Sequence, residues 1–365
     1  MKRFLTAALF LFQFALVSAQ DSTNVGNLTF EPEQPPGEII KLDVNIPVHQ
    51  FAMPVKNIQV LAICGDNAVL GALQYRTEKV RALAIPDKPL QEYLQEYVNR
   101  QYSDQYRKDG KELLCVIQYL RIGDRGRLDK SYVRIKAAGF HSSDNQQFQL
   151  SCQIDTTLSN DTKRASRKHS ENIAQAIDLL MQAADKSRLT VAFHSKEEIV
   201  NKAWERYKQP IYSADTLTDG IYTSYREFLK NAPSVRKFRV SMEYNKIVAY
   251  HLHDDSTSNV IKEPWGMCHQ GRLYRFKWNG FIPLKRNGLS FDLVDFGLET
   301  NKDIKGTAGR VVDIVGGLLF LGPAGIPLAI PSAYVRGGYT VNAIPYLVDP
   351  PIATTIDPFT GELMF

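Results

Sequence analysis

The chain has 365 residues, of which 44% are hydrophobic and 23% are charged. These values are ordinary for a globular protein, and they exclude both an intrinsically disordered chain and a polytopic membrane protein. The formal net charge of +5 is too small to indicate nucleic-acid binding, so we expect no nucleic-acid partner. A chain of this length predicts about two domains.

The first residues have the pattern of an export signal. Lys2 and Arg3 precede an apolar run that is too short for a permanent membrane anchor, and Val17 and Ala19 are small residues suited to cleavage before Gln20. The alternative, a buried N-terminal helix, would need an amphipathic period that the run lacks. We predict a signal peptide over residues 1–19 and an exported protein of the periplasm or outer cell envelope, or a secreted one.

Residues 20–44 are polar and Pro-rich, which predicts a flexible tether. Residues 45–190 then predict an α+β domain, a sheet covered on one face by two helices. In the segment FQLSCQID, the alternation predicts one apolar face that holds Phe148, Leu150, Cys152 and Ile154.

The two helices of this domain are predicted from apolar residues at helical spacing. The first helix follows Pro89, and its predicted face consists of Leu90, Tyr93, Leu94, Tyr97, Val98 and Tyr102. The face of the second consists of Ile173, Ile177, Leu180, Met181 and Ala184.

Residues 191–235 predict a helical connector. Two capping boxes mark helix starts, one formed by Ser195 with Glu198 and the other by Ser224 with Glu227. Pro233 prevents the second helix from continuing.

Residues 236–300 change to a period of two and predict an antiparallel β-meander. Tyr274, Phe276 and Trp278 alternate with charged residues, and turns are expected at Asn279-Gly280 and Asn287-Gly288. The three aromatic side chains could stack a sugar or peptide, or they could form one face of the core.

Residues 301–365 predict an apolar Gly/Pro-rich region packed on the meander. Between Asp313 and Arg336 no side chain is charged, but Pro323, Pro327 and Pro331 exclude a straight membrane helix. Contact with a membrane surface through residues 311–335 remains an alternative.

The four cysteines, Cys64, Cys115, Cys152 and Cys268, are far apart and form no CxxC pair. We expect them to be small buried hydrophobic residues, with one bridge among the first three as the alternative.

The best constellation for chemistry is YHLHDD. A strand would place His251 and His253 on one face, with Asp254 beside them and His269 further along, and such imidazoles could share a metal ion. The alternative is a pair of solvent-exposed polar histidines. The motifs of common hydrolases, P-loop proteins and dinucleotide-binding proteins are missing from the sequence, so we predict no catalytic residue and no cofactor.

Two segments carry a resemblance to known proteins. GIYTSYREFLKNAP and WGMCHQGRLY resemble a GIYxxxxEFxxNxP / WGxCxxGxLY module of uncharacterised exported proteins of Gram-negative bacteria. The matched positions are Gly220, Ile221, Tyr222, Glu227, Phe228, Asn231 and Pro233, then Trp265, Gly266, Cys268, Gly271, Leu273 and Tyr274. The order of elements in the N-terminal region loosely resembles periplasmic auxiliary domains of envelope assembly.

The resemblance implies a cell-envelope role with a protein partner, and it implies no catalytic residues. Three hypotheses follow from the sequence. The first is a non-catalytic binding or scaffold protein of the envelope. The second is an exported hydrolase or metal-binding enzyme that uses His251, His253 and His269. The third is a membrane-associated component that makes contact through residues 311–335.

Overall fold

The protein is a mixed α+β chain with two antiparallel sheets and one mixed sheet. The computed structural model describes residues 36–66, 68–74, 82–125, 130–144, 146–161, 168–186, 190–243, 246–254, 257–277, 280–294 and 351–365. The predicted signal peptide and the uncharged stretch 311–335 lie outside the described residues. In the part of the chain that is described, no helix combines the length and apolar character that a membrane crossing requires.

Eight strands form the first sheet. They are β1 (Gly37–Ile40), β2 (Val55–Ala62), β3 (Gly71–Leu73), β4 (Ala82–Pro86), β5 (Lys111–Arg125), β6 (Lys130–Ser142), β7 (Phe148–Asp161) and β8 (Phe193–His194). The order is β1-β4-β3-β5-β6-β7-β8, and β2 shares with β3 the edge of β5 that faces away from β6. β5, β6 and β7 are antiparallel neighbours, whereas β2 and β3 run parallel to β5.

Two helices pack on one face of this sheet. They are α1 (Leu90–Tyr102) and α2 (His169–Lys186). The buried residues of α1 are the six of its predicted face, and all five predicted residues of α2 are buried. The face of α1 therefore follows from helical periodicity alone, whereas α2 also buries polar residues that the prediction did not include, namely His169, Asn172, Asp178 and Asp185.

The opposite face of the first sheet is also covered, which the prediction of one covered face did not include. Side chains of β5, β6 and β7 enter a second core that they share with the connector and with a second sheet. This explains why residues 113–117 of β5 are apolar without alternation, because a strand segment buried on both faces has no polar side.

The predicted common face of β7 is wrong because a β-bulge interrupts the strand. Gly139 of β6 pairs with Cys152, whereas the next residue, Phe140, pairs with Leu150, so Ser151 is an extra residue. The bulge reverses the alternation. Phe148 consequently lies in the second core, whereas Cys152 packs under the helices.

The N-terminal boundary also differs from the prediction. The segment expected to be tether up to residue 44 includes β1, which pairs in parallel with β4, and both Ile40 and Leu42 are 5% exposed. A four-residue strand is too short to show a period, so its pairing could not be seen in the sequence.

Three short helices form the connector. They are α3 (Lys196–Trp204), α4 (Pro210–Ser213) and α5 (Tyr225–Leu229), with a 3₁₀ helix at Glu205–Lys208. The predicted capping box is complete at Ser195 and Glu198. At α5 only half of it forms, because the Glu227 carboxylate binds Thr223 and Ser234 instead of the Ser224 N–H.

Seven strands form the second sheet, in the order β18-β17-β16-β15-β14-β13-β9. The strands are β9 (Gly220–Tyr222), β13 (Gly266–His269), β14 (Arg272–Lys277), β15 (Gly280–Asn287), β16 (Ser290–Leu293), β17 (Thr355–Ile356) and β18 (Leu363–Met364). β13 to β16 form an antiparallel meander, which occupies only the second part of the range predicted for it, residues 236–300. Gln270 and Gly271 join β13 to β14 with φ angles of 52° and 72°, the two positive angles that a type I′ turn requires.

A separate three-stranded antiparallel sheet lies on the outer face of the second sheet. It consists of β10 (Phe238–Glu243), β11 (Lys246–Leu252) and β12 (Ser258–Val260). Along the second sheet, neighbouring residues alternate between the two cores, so that Met267 faces the small sheet and Cys268 faces the first sheet. The order of layers is helices, first sheet, second sheet and small sheet.

Candidate functional site

A cleft lies between the two large sheets and surrounds a cavity of about 30 Å³. Its wall combines strand β5, the connector and the segment 351–365. The charged and phenolic side chains in this wall are Asp66, Arg121, Tyr119, Tyr207, Tyr212 and Tyr225. We refer to this region as the inter-sheet cleft.

Two buried ion pairs lie in or beside the inter-sheet cleft. Arg121 Nη1 lies 3.3 Å from Asp66 Oδ2, and both side chains are less than a tenth exposed. Arg134 Nη2 lies 3.2 Å from Asp357 Oδ2 and 3.0 Å from Asp155 Oδ1. Because an unpaired buried charge is costly, the Arg134–Asp357 pair fixes the position of segment 351–365 against the first sheet, whereas the Arg121–Asp66 pair joins β5 to the loop after β2.

Two cations also enclose the ring of Phe359. Lys136 Nζ and the Arg206 guanidinium carbon each lie 3.6 Å from the centre of this ring. Burial lowers the pKa of Arg206 from its usual value, although nearby phenols, Cys64 and Asp357 oppose the change. Arg206 is therefore a partly desolvated cation at the edge of the cleft.

Another titratable group near the cleft is Asp292 in β16. Burial raises its pKa, and the nearby Arg121 opposes this rise. Asp292 Oδ2 accepts a hydrogen bond from Asn287 Nδ2 at 3.0 Å. Asp292 also pairs with Thr355 across the β16–β17 ladder.

The β16–β17 ladder holds the two ends of a long connection, residues 295–350. The Leu293 N–H donates to the Thr354 carbonyl at 2.9 Å, and Thr355 Oγ1 donates to the Phe291 carbonyl at 3.0 Å. Segment 351–365 then returns through β17 and β18 to Phe365, which is 1% exposed. The connection therefore leaves and re-enters the described structure at one place.

The predicted metal-ligand histidines fall on the small sheet and at its border. The rings of His251 and His253 are 4.4 Å apart, and Asn259 Nδ2 lies 3.2 Å from His253 Nε2. The ring of His269 instead lies 5.7 Å from that of Phe238. Among the described residues, no group of three or more His, Cys, Asp and Glu side chains is placed to hold a metal ion.

The predicted stacking aromatics fall mainly in the core. Tyr274 is 8% exposed and lies in the cluster between the second sheet and the small sheet, where Phe276 packs at 5.1 Å from Phe281. This placement favours the core interpretation of both side chains. Trp278 lies outside the described residues.

The cysteines are buried free thiols, as expected from their apolar surroundings. Cys115 and Cys152 lie under the helices, and none of the four forms a disulfide. Cys268 Sγ donates to Asp219 Oδ1 at 3.3 Å, and this carboxylate also accepts from the backbone N–H groups of Gln270 and Gly271. Asp219 therefore fixes the β13–β14 turn.

The inter-sheet cleft is not apparent from the sequence alone. A signal was present, because Arg121 lies between Leu120 and Ile122 and Arg134 lies between Val133 and Ile135, and a charge buried among such neighbours requires a partner. The partners could not be identified, since Asp357 is more than two hundred residues away from Arg134.

The class that the described residues define is a mixed α+β protein with mainly antiparallel sheets. No protein-family model matches the chain, and the search of curated proteins gives no match. Among solved structures, the chain is similar to a Xanthomonas campestris protein of the family DUF330, with 14% identity and a TM-score of 0.23, over 41% of this chain and 89% of that one. An uncharacterised protein gives 16% identity and a TM-score of 0.22, over 40% of this chain and 99% of that one.

Proposed function

We propose that the protein is an exported cell-envelope component that binds or scaffolds a protein partner and performs no catalysis. The observation that carries this proposal is the anchoring of residues 295–350. Both ends of this connection are fixed in one ladder, between Leu293 and Thr354, and the returning segment is buried between two sheets. The two ends of residues 295–350 are thus held next to each other by the folded part of the chain.

The sequence of that excursion supports a binding role. Between Asp313 and Arg336 it carries no charge, and an uncharged apolar stretch is the type of surface that protein partners cover. The ladder fixes the two points, Leu293 and Thr354, between which this stretch is tethered.

A replacement variant tests the proposal. Residues 295–350 are replaced by a short Gly/Asn linker, which can close because the flanking strands are already hydrogen-bonded neighbours. We expect the variant to fold with an unchanged circular dichroism spectrum. We also expect it to lose the partner that the full chain retains after crosslinking in intact envelopes and affinity purification.

A pair of length-preserving variants makes the test specific. Leu319→Asp with Ile326→Asp introduces charge into the uncharged stretch, whereas Asn301→Asp with Thr307→Asp adds the same charge outside it. Loss of the partner in the first variant only would support the proposal. Equal retention in both variants, or no reproducible partner for the full chain, would overturn it.

Further measurements on the same variants test export and membrane contact. The proposal expects a mature N-terminus at Gln20 in the periplasmic fraction, which N-terminal sequencing measures. Release of the protein without detergent, with no binding to vesicles of bacterial lipids, is also expected. Vesicle binding that the Leu319→Asp, Ile326→Asp variant abolishes would favour a lipid surface over a protein as the partner.

The close histidine pair favours metal binding as a second candidate function. With ring centres 4.4 Å apart, His251 and His253 could share one Zn²⁺ ion, with water completing the shell. Calorimetric titration with Zn²⁺ should then show binding that His253→Ala removes and that His194→Ala, at a half-exposed histidine of β8, leaves unchanged. His269→Ala shows whether the third predicted ligand takes part, and no Zn²⁺ binding to the full chain would reject this candidate.

A further inference from the structure

We propose that the cavity in the inter-sheet cleft is a binding site for one small monovalent anion, chloride under physiological conditions. The cavity volume is about 30 Å³. Since a cavity needs roughly 10 to 15 Å³ to hold one water molecule, the space suits one monatomic ion or one to two waters and excludes an organic ligand.

Two buried hydrogen-bond donors line the cavity and need an acceptor. Arg121 uses Nη1 for Asp66 and for the Val69 carbonyl, but within the described residues its Nε has no partner. The hydroxyl proton of Tyr207 likewise has no acceptor there. Both residues are 6% exposed, so bulk water does not reach these donors, and leaving them without an acceptor is destabilising.

A cation at the edge of the cleft favours an anion over a neutral acceptor. Arg206 forms no ion pair with any described residue, whereas the charge of Arg121 is paired with Asp66. Burial raises the pKa of the Cys64 thiol in the cavity wall to about 12. The charges of Arg206 and Arg121 oppose this rise. Burial would lower the pKa of Arg121, but Tyr119, Asp66 and Asp292 raise it, so the positive charge that remains for an anion is that of Arg206.

The position of the cavity gives the anion a structural role. Thr355, Ile356 and Pro358 line one side, while Arg121 and Tyr207 line the other. A bound anion would therefore connect segment 351–365 to the first sheet and the connector. It would act at the base of the β16–β17 ladder that holds the connection 295–350.

Crystals grown in sodium bromide test the site directly. We expect an anomalous-difference peak at the bromine edge within hydrogen-bond distance of Arg121 Nε and Tyr207 Oη. An ordered water without an anomalous signal at this position would overturn the proposal.

A solution experiment tests the same site without crystals. The melting temperature of the full chain should be higher in sodium chloride than in sodium gluconate at equal ionic strength, because an anion that binds only the folded state stabilises it. Tyr207→Phe removes one donor and should abolish most of this difference. Tyr93→Phe removes a buried hydroxyl from the other core and should preserve it. An equal chloride effect in both variants would contradict the proposal.

Discussion

Arg134 and Asp357 form an ion pair that joins the first sheet to the last segment of the described structure. The Nη2 and Oδ2 atoms are 3.2 Å apart, and the side chains are 10% and 2% exposed. This pair lies beside the inter-sheet cleft, which Ile356 and Pro358 line, whereas the Asp155 side chain, the other carboxylate partner of Arg134, is 45% exposed.

Asp357→Asn should therefore lower the free energy of unfolding by about 3 kcal/mol, because it leaves the Arg134 guanidinium buried without its best partner. Urea denaturation of both proteins measures the difference. The matched change Asp155→Asn should cost less than about 1 kcal/mol, since that carboxylate is open to solvent. Equal losses of unfolding free energy in the two variants would show that the buried ion pair contributes no more to stability than the exposed one.

Alanine substitutions at two glycines with nearly the same φ angle distinguish the cost of backbone strain from the cost of steric crowding. Gly361 has φ +73° and Gly271 has φ +72°, but an added Cβ would lie 2.4 Å from Tyr225 Cγ at the first and near no atom at the second. Gly271→Ala should cost about 1 kcal/mol from backbone strain. Gly361→Ala should cost about 3 kcal/mol in total, because the methyl group also displaces the aromatic cluster. Thermal unfolding decides this, and indistinguishable melting temperatures would contradict the placement of Gly361.

The Asp185 carboxylate should make stability depend on pH in the acidic range. Burial alone would raise its pKa, but hydrogen bonds from the backbone of Ala52 and Met53 and from the His49 ring outweigh burial and hold the pKa below its usual value. A lowered folded-state pKa stabilises the protein above the unfolded value, about 3.9, and the effect disappears as pH falls through the folded-state value.

Asp185→Asn should accordingly cost about 2 kcal/mol at pH 7, and the difference from the unchanged protein should shrink below about pH 4. Denaturant titrations at neutral and acidic pH measure this trend. A difference that stays constant down to pH 3 would mean that the carboxylate charge contributes little.

The four thiols should resist modification in the folded protein. Cys64 and Cys268 are 5% and 0% exposed, and burial raises the pKa of each to about 12. Because the thiolate is the reactive form, Ellman's reagent at pH 8 should label no cysteine of the folded protein within minutes, and all four after denaturation. Fast labelling of the folded protein would place a thiol at the surface.

The sequence contains most of the information on helices and little on sheet pairing. The buried faces of α1 and α2 were predictable because the contacts of a helical face repeat within a few residues of one another. The bulge at Ser151 was not, because one extra residue is set by pairing with β6 and reverses every side chain after it.

The inter-sheet cleft illustrates the same limit. Arg121 appears in the sequence as a polar residue in an apolar strand, but its environment is assembled from the connector, β16 and segment 351–365. The closeness of His251 and His253 was predictable, because residues two positions apart in an extended chain share a face. The contact with Asn259 on β12 was not predictable, because it depends on strand pairing.

The β16–β17 ladder also constrains the order in which the chain can fold. Strand β17 is synthesised more than fifty residues after β16, and closing so long a loop must precede the contacts that compensate for its entropy. Until then the tyrosines, Arg121 and Arg134 would lack the segment that covers them. Pairing of β17 with β16, which brings segment 351–365 between the two sheets, should therefore be a late step of folding. Shortening residues 295–350 should accelerate this step.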